Sequence, residues 1–157
     1  MSDLKIPTRL LEQIFEDAER RYPSEACGFL LAPLGVGAEP VMYMPCRNIQ
    51  DELHAADPKR YPRTSATAYA IDSAENAAIE KSAEEAGLRI IAIVHSHPDH
   101  EAYFSDEDKA NAAPWGEPLF PGVSYVVVSV FEKNVKALNE FYWDEKAKEF
   151  MERKIQF

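Results

Sequence analysis

Leu88-Arg-Ile-Ile-Ala-Ile-Val94 runs without interruption into His95-Ser-His-Pro98. The first part of this stretch is almost continuously apolar and rich in β-branched residues, the signature of a strand buried on both faces. A strand points residues i and i+2 to the same side, about 6.5–7 Å apart, so His95 and His97 share one face and Ser96 takes the other. Two imidazoles therefore converge where a core strand ends. Pro98 cannot donate to the ladder and stops it. A strand covered on both faces predicts an α/β fold, a mixed β-sheet flanked by helices.

Asp99 to Phe104 reads as a loop, and Ser105-Asp-Glu-Asp108 as the start of a helix with Ser105 as N-cap and Asp108 at N3. A carboxylate in that first turn faces the same cleft mouth as the end of the strand. His95, His97 and Asp108 then make two imidazoles and one carboxylate with an open fourth position, the pattern of a catalytic zinc rather than a closed structural one. The same residues also have an ordinary reading. Acids in the first turn of a helix are stabilising by roughly 0.3–1 kcal/mol each without any metal, and a single strand-end histidine is usually just hydrogen-bonded. Capping, however, does not call for two histidines on one face beside the acid. His100 and Glu101 fall in the loop between the ligand groups and read as solvated; His54 carries no separate signal.

The spacing His-Ser-His-Pro, six residues, Ser, two residues, Asp, with a glutamate upstream in Ser24-Glu-Ala-Cys-Gly-Phe-Leu-Leu31, resembles the JAMM (MPN-plus) zinc metalloproteases, in their small standalone prokaryotic form. Every motif position is occupied: Glu25, His95, His97, Pro98, Ser105 and Asp108. The resemblance implies a cytidine-deaminase-like JAMM/MPN domain over residues 1–157, one Zn2+ per chain on His95, His97 and Asp108, and catalytic roles for Glu25 and Ser105. Glu25 would take and pass the proton, worth ~10²–10⁴-fold, and Ser105 would donate to the developing oxyanion. Taken alone, Glu25 reads as a surface carboxylate at a strand start. The Ser105 hydroxyl has two claims on it, the helix cap and the oxyanion, which must be shared between its lone pairs and its proton. Cys27 shares the Glu25 face, but a free cysteine is usually a small buried hydrophobe.

Around this centre the pattern predicts further elements. Leu11, Ile14, Phe15 and Ala18 give a first helix over Thr8 to Arg21, ended by Tyr22-Pro23. Cys27 to Ala32 and Val41 to Met44 read as a hairpin, and Thr67 to Ile71 as a further strand. Asp72-Ser-Ala-Glu75 reads as a capping box that opens an Ala-rich helix closed by Gly87. Ser124 to Val130 reads as a core strand, Val135 to Trp143 as its edge partner, and Asp144 to Phe157 as a helical or frayed tail. The segments 45–66 and 113–122 read as loops able to shape a groove, with Tyr103, Trp115 and Phe120 as possible lining. Arg47, Lys59, Arg60 and Arg63 make the first of them basic in an acidic chain, which suits a carboxylate or an acidic surface.

The chain has 157 residues, 46% of them hydrophobic, enough for one core. Its net charge of −10 makes nucleic acid and anionic membrane poor partners. There is no apolar signal stretch and no ~18-residue apolar span. Cys27 and Cys46 do not form a disulfide framework, which predicts free thiols and a cytoplasmic location. The family resemblance implies hydrolysis of amide bonds after the C-terminal Gly-Gly of a ubiquitin-like or sulfur-carrier protein, whose extended tail would add to a sheet edge beside the metal. The alternative is a non-catalytic MPN-type scaffold that binds zinc without turnover. Pro-Cys-x-x-Cys and His-Glu-x-x-His are both absent, which excludes zinc deaminases and thermolysin-like proteases.

Overall fold

A computed structural model describes residue 2 and residues 4–37 and 39–157. The elements are α1 (Thr8–Arg21), β1 (Cys27–Pro33), β2 (Met42–Cys46), α2 (Gln50–Ala56), α3 (Ser73–Glu85), β3 (Leu88–Pro98), α4 (Asp106–Ala112), β4 (Ser124–Phe131), β5 (Asn134–Asp144) and β6 (Glu149–Lys154). The strands form one mixed sheet in the order β2-β1-β3-β4-β5-β6, in which only β3 and β4 run parallel. The predicted mixed sheet flanked by helices is the observed architecture. None of the described helices is long and apolar enough to cross a membrane.

Each sheet face buries its own core, as the sequence of β3 requires. Leu10, Leu11, Ile14 and Ala18 of α1 pack on one face against Leu30, Ala92, Val94, Val126 and Val128. The other face gathers Phe29, Ile93, Phe104, Tyr125, Val127 and Phe141, with Ala83 of α3 and Ala112 of α4 over them. In β1, Gly28 lets the β2 backbone and the Tyr43 ring come close; a Cβ there would stand 2.6 Å from the Met44 carbonyl oxygen and 2.8 Å from the ring.

Five sequence expectations are corrected. Thr67 to Ile71 is not a strand: the Ala70 N–H goes to the Asn48 side chain and the Ala70 carbonyl to the Ile49 N–H, so no ladder forms. The 45–66 segment is not wholly loop, because Asn48 Oδ1 accepts from Gln50 N and α2 starts there. The tail is not helical or frayed, and β5 is not an edge, because β6 pairs with β5 and sets Phe150 against Phe104, Tyr125 and Trp143. The Asp72 box is half formed. Asp72 accepts from Ala74 N, but the Glu75 carboxylate reaches Arg47 N instead of the N-cap.

Candidate metal centre

The register of the sheet brings the predicted residues together. Cys27 pairs with His95, and one residue further Ala26 is held twice by Ser96, whose N–H donates to its carbonyl at 3.0 Å and whose Oγ accepts from its N–H at 2.7 Å. Continuing that antiparallel register sets Glu25 across from His97, and directly opposed residues point to the same face. Ser96, on the face opposite the two histidines, is therefore the hydroxyl that fastens the Glu25 segment to the histidine strand. Glu25, His95 and His97 are all buried and offer ligand atoms that all lie within 4.8 Å of one another.

Asp108 arrives from α4 as predicted. Ser105 is its N-cap and forms a capping box in which Ser105 Oγ accepts from Asp108 N at 3.0 Å and Asp108 Oδ2 accepts from Ser105 N at 3.1 Å. This geometry divides the serine between its two roles. Its oxygen serves the cap, and its O–H proton is left to donate elsewhere.

The three tips form a nearly equilateral triangle. His95 Nε2 is 3.2 Å from His97 Nε2, and each nitrogen is 3.3 Å from Asp108 Oδ2. Bonds of about 2.0–2.1 Å to a tetrahedral ion put neighbouring ligand atoms about 3.3–3.4 Å apart. Those edges match a single small ion. The ring orientation matches as well: His97 Nδ1 lies 2.9 Å from the Glu101 carbonyl oxygen, to which only an N–H can bond, which turns Nε2 toward the triangle. Burial holds His95 below the usual histidine range, in the neutral, ligating form. Burial alone would raise the Asp108 carboxyl, but His95, His97 and the Ser105 N–H outweigh it and keep Asp108 far below the usual carboxylate range, and so ionised.

Glu25 has the opposite bias. Burial lifts its carboxyl to about 9, the negative charges of Asp108 and Glu107 add to this, and Arg63 opposes it. In the metal-free protein the two carboxylates are thus biased in opposite directions, Asp108 toward the ionised form and Glu25 toward the protonated one.

The backbone of Glu25 and the ring of His95 are both fixed by the connection from Arg47 to Asp72. Asn48 Nδ2 donates to the carbonyls of Glu25 and Ala68 at 3.0 and 3.2 Å, while Asn48 Oδ1 accepts from Gln50 N and Ala70 N at 3.0 and 3.1 Å. Glu25 N donates to the Ser65 carbonyl at 2.7 Å, and Ser65 is held by both oxygens of Asp51. Tyr69, in the same connection, stacks on His95 with ring centroids 4.5 Å apart. His95 Nδ1 is buried and finds no hydrogen-bond partner among the described residues, and the packed Tyr69 ring sets the angle of that imidazole. Sequence reasoning missed Asn48, Ser65 and Tyr69. Asn48 and Ser65 lie in the 45–66 segment, whose periodicity is too weak to interpret, and Tyr69 lies in the segment whose alternation reads as a strand.

Other candidates fall outside the triangle. His100 Nδ1 turns back to the Pro98 carbonyl, and its own carbonyl accepts from Ser129 Oγ. Glu101 contributes its main chain only. Cys27 and Cys46 are free and buried in register with each other, and burial pushes the Cys27 thiol up to about 12, so neither is an activated nucleophile. Tyr103 meets His97 edge-on, Phe120 lines the adjoining cleft, and Trp115 stands 82% exposed. That cleft, about 960 Å³, opens beside Asp108 and Glu107 and runs over Phe29, Ile93 and Tyr125 beneath the 60–71 segment. The histidine strand is interior, flanked by β1 and β4, so an incoming tail has no free edge to pair with on β3 itself.

Residues 7–144 match the family of prokaryotic homologs of the JAB domain. Over 138 residues the chain is 29% identical to the CysO-cysteine peptidases of Mycobacterium tuberculosis and Mycobacterium bovis, covering 88% of this chain and 81% of theirs. Among solved structures, a protein from Desulfitobacterium hafniense superposes with a TM-score of 0.71 at 21% identity, covering 96% of this chain and 90% of that one. A JAB1/MPN domain protein from Archaeoglobus fulgidus superposes at 0.51 and 16% identity over 94% of each chain, a likeness of fold. With its sheet order, histidine strand and capped acid in place, the chain belongs to the prokaryotic JAB/MPN domain family.

Proposed function

We propose that the protein is a zinc metallopeptidase that hydrolyses the amide bond after the C-terminal Gly-Gly of a ubiquitin-like or sulfur-carrier protein. The observation that carries this reading is the triangle of His95 Nε2, His97 Nε2 and Asp108 Oδ2, with edges of 3.2–3.3 Å and Glu25 beside it. The name of the mycobacterial relatives, CysO-cysteine peptidase, supports release of an amino acid from a carrier.

His95, His97 and Asp108 would hold the ion. Zinc bound there supplies a Lewis acid that acidifies water and polarises an amide carbonyl. Glu25 stands beside the ligands, and once a bound cation offsets the charge of Asp108 its carboxylate would take the proton of the attacking water and deliver it to the leaving amine. The Ser105 O–H, free because only its oxygen serves the cap, donates to the carbonyl oxygen as charge develops there. Asn48 and Ser65 keep the Glu25 main chain at a fixed distance from His97, and the cleft beside Asp108 receives the substrate in an extended form.

The test is hydrolysis of a carrier fusion ending Gly-Gly followed by one amino acid, read by mass. Zinc-loaded wild type is expected to release the amino acid and Glu25→Gln to lose at least ~100-fold of that activity. Equal activity of the two removes the assigned base, and zinc binding with no turnover in either favours the scaffold.

A further inference from the structure

The rim of the metal triangle is strongly acidic, and one cation is built into it. Arg63 places Nε 3.0 Å from Glu107 Oε2, and Glu107 precedes the ligand Asp108 in α4. The Arg63 main chain is anchored, because its carbonyl accepts from Gln50 Nε2 at 3.0 Å and Gln50 is buried. The side chain is half exposed and lines the cleft beside Asp108. The backbone is fixed while the guanidinium is held only by a half-exposed contact with Glu107, and such an exposed Arg–Glu pair contributes too little to stability to account for the arrangement.

We propose that Arg63 is the core of a carboxylate subsite that grips the free α-carboxylate of the residue released by the hydrolysis, leaving Glu107 to do so. The assignment rests on the peptidase reading above and gives it a specificity: a single residue beyond the Gly-Gly, with its C-terminus free.

Reach decides the position of such a subsite. A residue spans at most about 3.3–3.6 Å of extended chain, so a carboxylate one residue past the scissile carbonyl lies at the edge of the metal site and no further. Its recognition group must therefore stand on that rim. Arg63 lines the same cleft as the ligand Asp108 and is near enough to act on the charge of Glu25. A carboxylate entering there would otherwise meet the negative charge of Glu107. A guanidinium can bind a carboxylate through two parallel N–H groups, and exchange of Glu107 for the substrate carboxylate conserves the ion pair. Arg60 lines the same cleft and keeps a second cation near, with its guanidinium carbon 5.3 Å from the Tyr61 ring.

The experiment compares two synthetic peptides, one ending Gly-Gly-Ala with a free carboxylate and one with the same sequence as a C-terminal amide, using the zinc-loaded protein. Wild type is expected to favour the acid by about 10- to 100-fold in kcat/KM, mostly through KM. R63Q is expected to bring that ratio close to one, and R63K to restore part of it. E107Q releases the arginine and is expected to lower KM for the acid. A wild-type ratio near one, or a ratio that R63Q leaves unchanged, overturns the subsite while the peptidase reading stands. Wild type that binds zinc and cleaves neither peptide nor the carrier fusion overturns both.

Discussion

Tyr69 lies flat against His95, ring centroids 4.5 Å apart and planes 23° apart, and it does for that imidazole what a hydrogen bond does for His97. Histidine ligands usually have their second nitrogen tied to a carbonyl or carboxylate; among the described residues His95 Nδ1 has no such partner, and an aromatic wall orients the ring. Tyr69→Phe keeps the wall and is expected to bind zinc as wild type does. Tyr69→Ala frees the ring and is expected to weaken zinc about 10- to 100-fold, measured by competition with a chelator.

Removal of Asp108 tests the triangle directly. Zinc at about 100 times its Kd should stabilise wild type by about 2.7 kcal/mol against unfolding, reversed by a chelator. Asp108→Asn keeps an acceptor for the Ser105 N–H and so keeps the cap, yet it should show no such stabilisation at the same zinc concentration. A matching rise in Tm for both proteins would place the ion elsewhere.

The two roles of Ser105 can be separated. Ser105→Ala loses cap and donor, and is expected to cost about 1 kcal/mol of stability and ~10²–10³ in kcat. Ser105→Asp retains a capping oxygen without a proton to donate, so it should regain the stability and not the turnover, whereas Ser105→Thr regains both. Stability comes from denaturant melts and kcat from the fusion assay.

Glu25 gives a pH signature in the metal-free protein. Its folded carboxyl titrates at about 9 and an unfolded glutamate near 4.3, so between those values folding takes up a proton and stability falls as pH rises. The contribution is fully present below about pH 4.3 and lost through about 9. Glu25→Gln cannot titrate. Relative to wild type it should therefore gain about 2–4 kcal/mol between pH 5 and pH 8 without metal. A parallel pair of stability curves would contradict the buried, protonated carboxyl.

Asn48 makes four contacts from one side chain, two of which set the Glu25 strand entry and the Ala68 carbonyl ahead of Tyr69. Asn48→Ala is expected to cost about 1–3 kcal/mol of stability and to lower kcat more than it raises KM, since it displaces the base and not the substrate cleft. Asn48→Asp sets a carboxylate oxygen against the two carbonyls that Nδ2 serves, so it should share the kcat defect and lose at least as much stability.

The histidine strand, the proline stop and the capped acid were legible because each is a local pattern: alternation fixes the shared face of His95 and His97, and the Ser105 cap fixes Asp108 within one turn. The strand misread at Thr67 to Ile71 has the apolar alternation of a strand, but its backbone groups are satisfied by Asn48 and Ile49. The tail from Asp144 was too polar to announce β6, whose place is set by pairing with β5 and by the Phe150 aromatic cluster.

By itself the sequence determined which side chains could ligate an ion and on which elements they sit, because periodicity and capping act between neighbours in the chain. Only the tertiary structure decided that Glu25 faces them, that Tyr69 braces one ring, and that Arg63 stands on the rim. Those relations depend on contacts such as that between Ala26 and Ser96, 70 residues apart, where strand register and hydrogen-bond satisfaction set position and no local pattern records the partner.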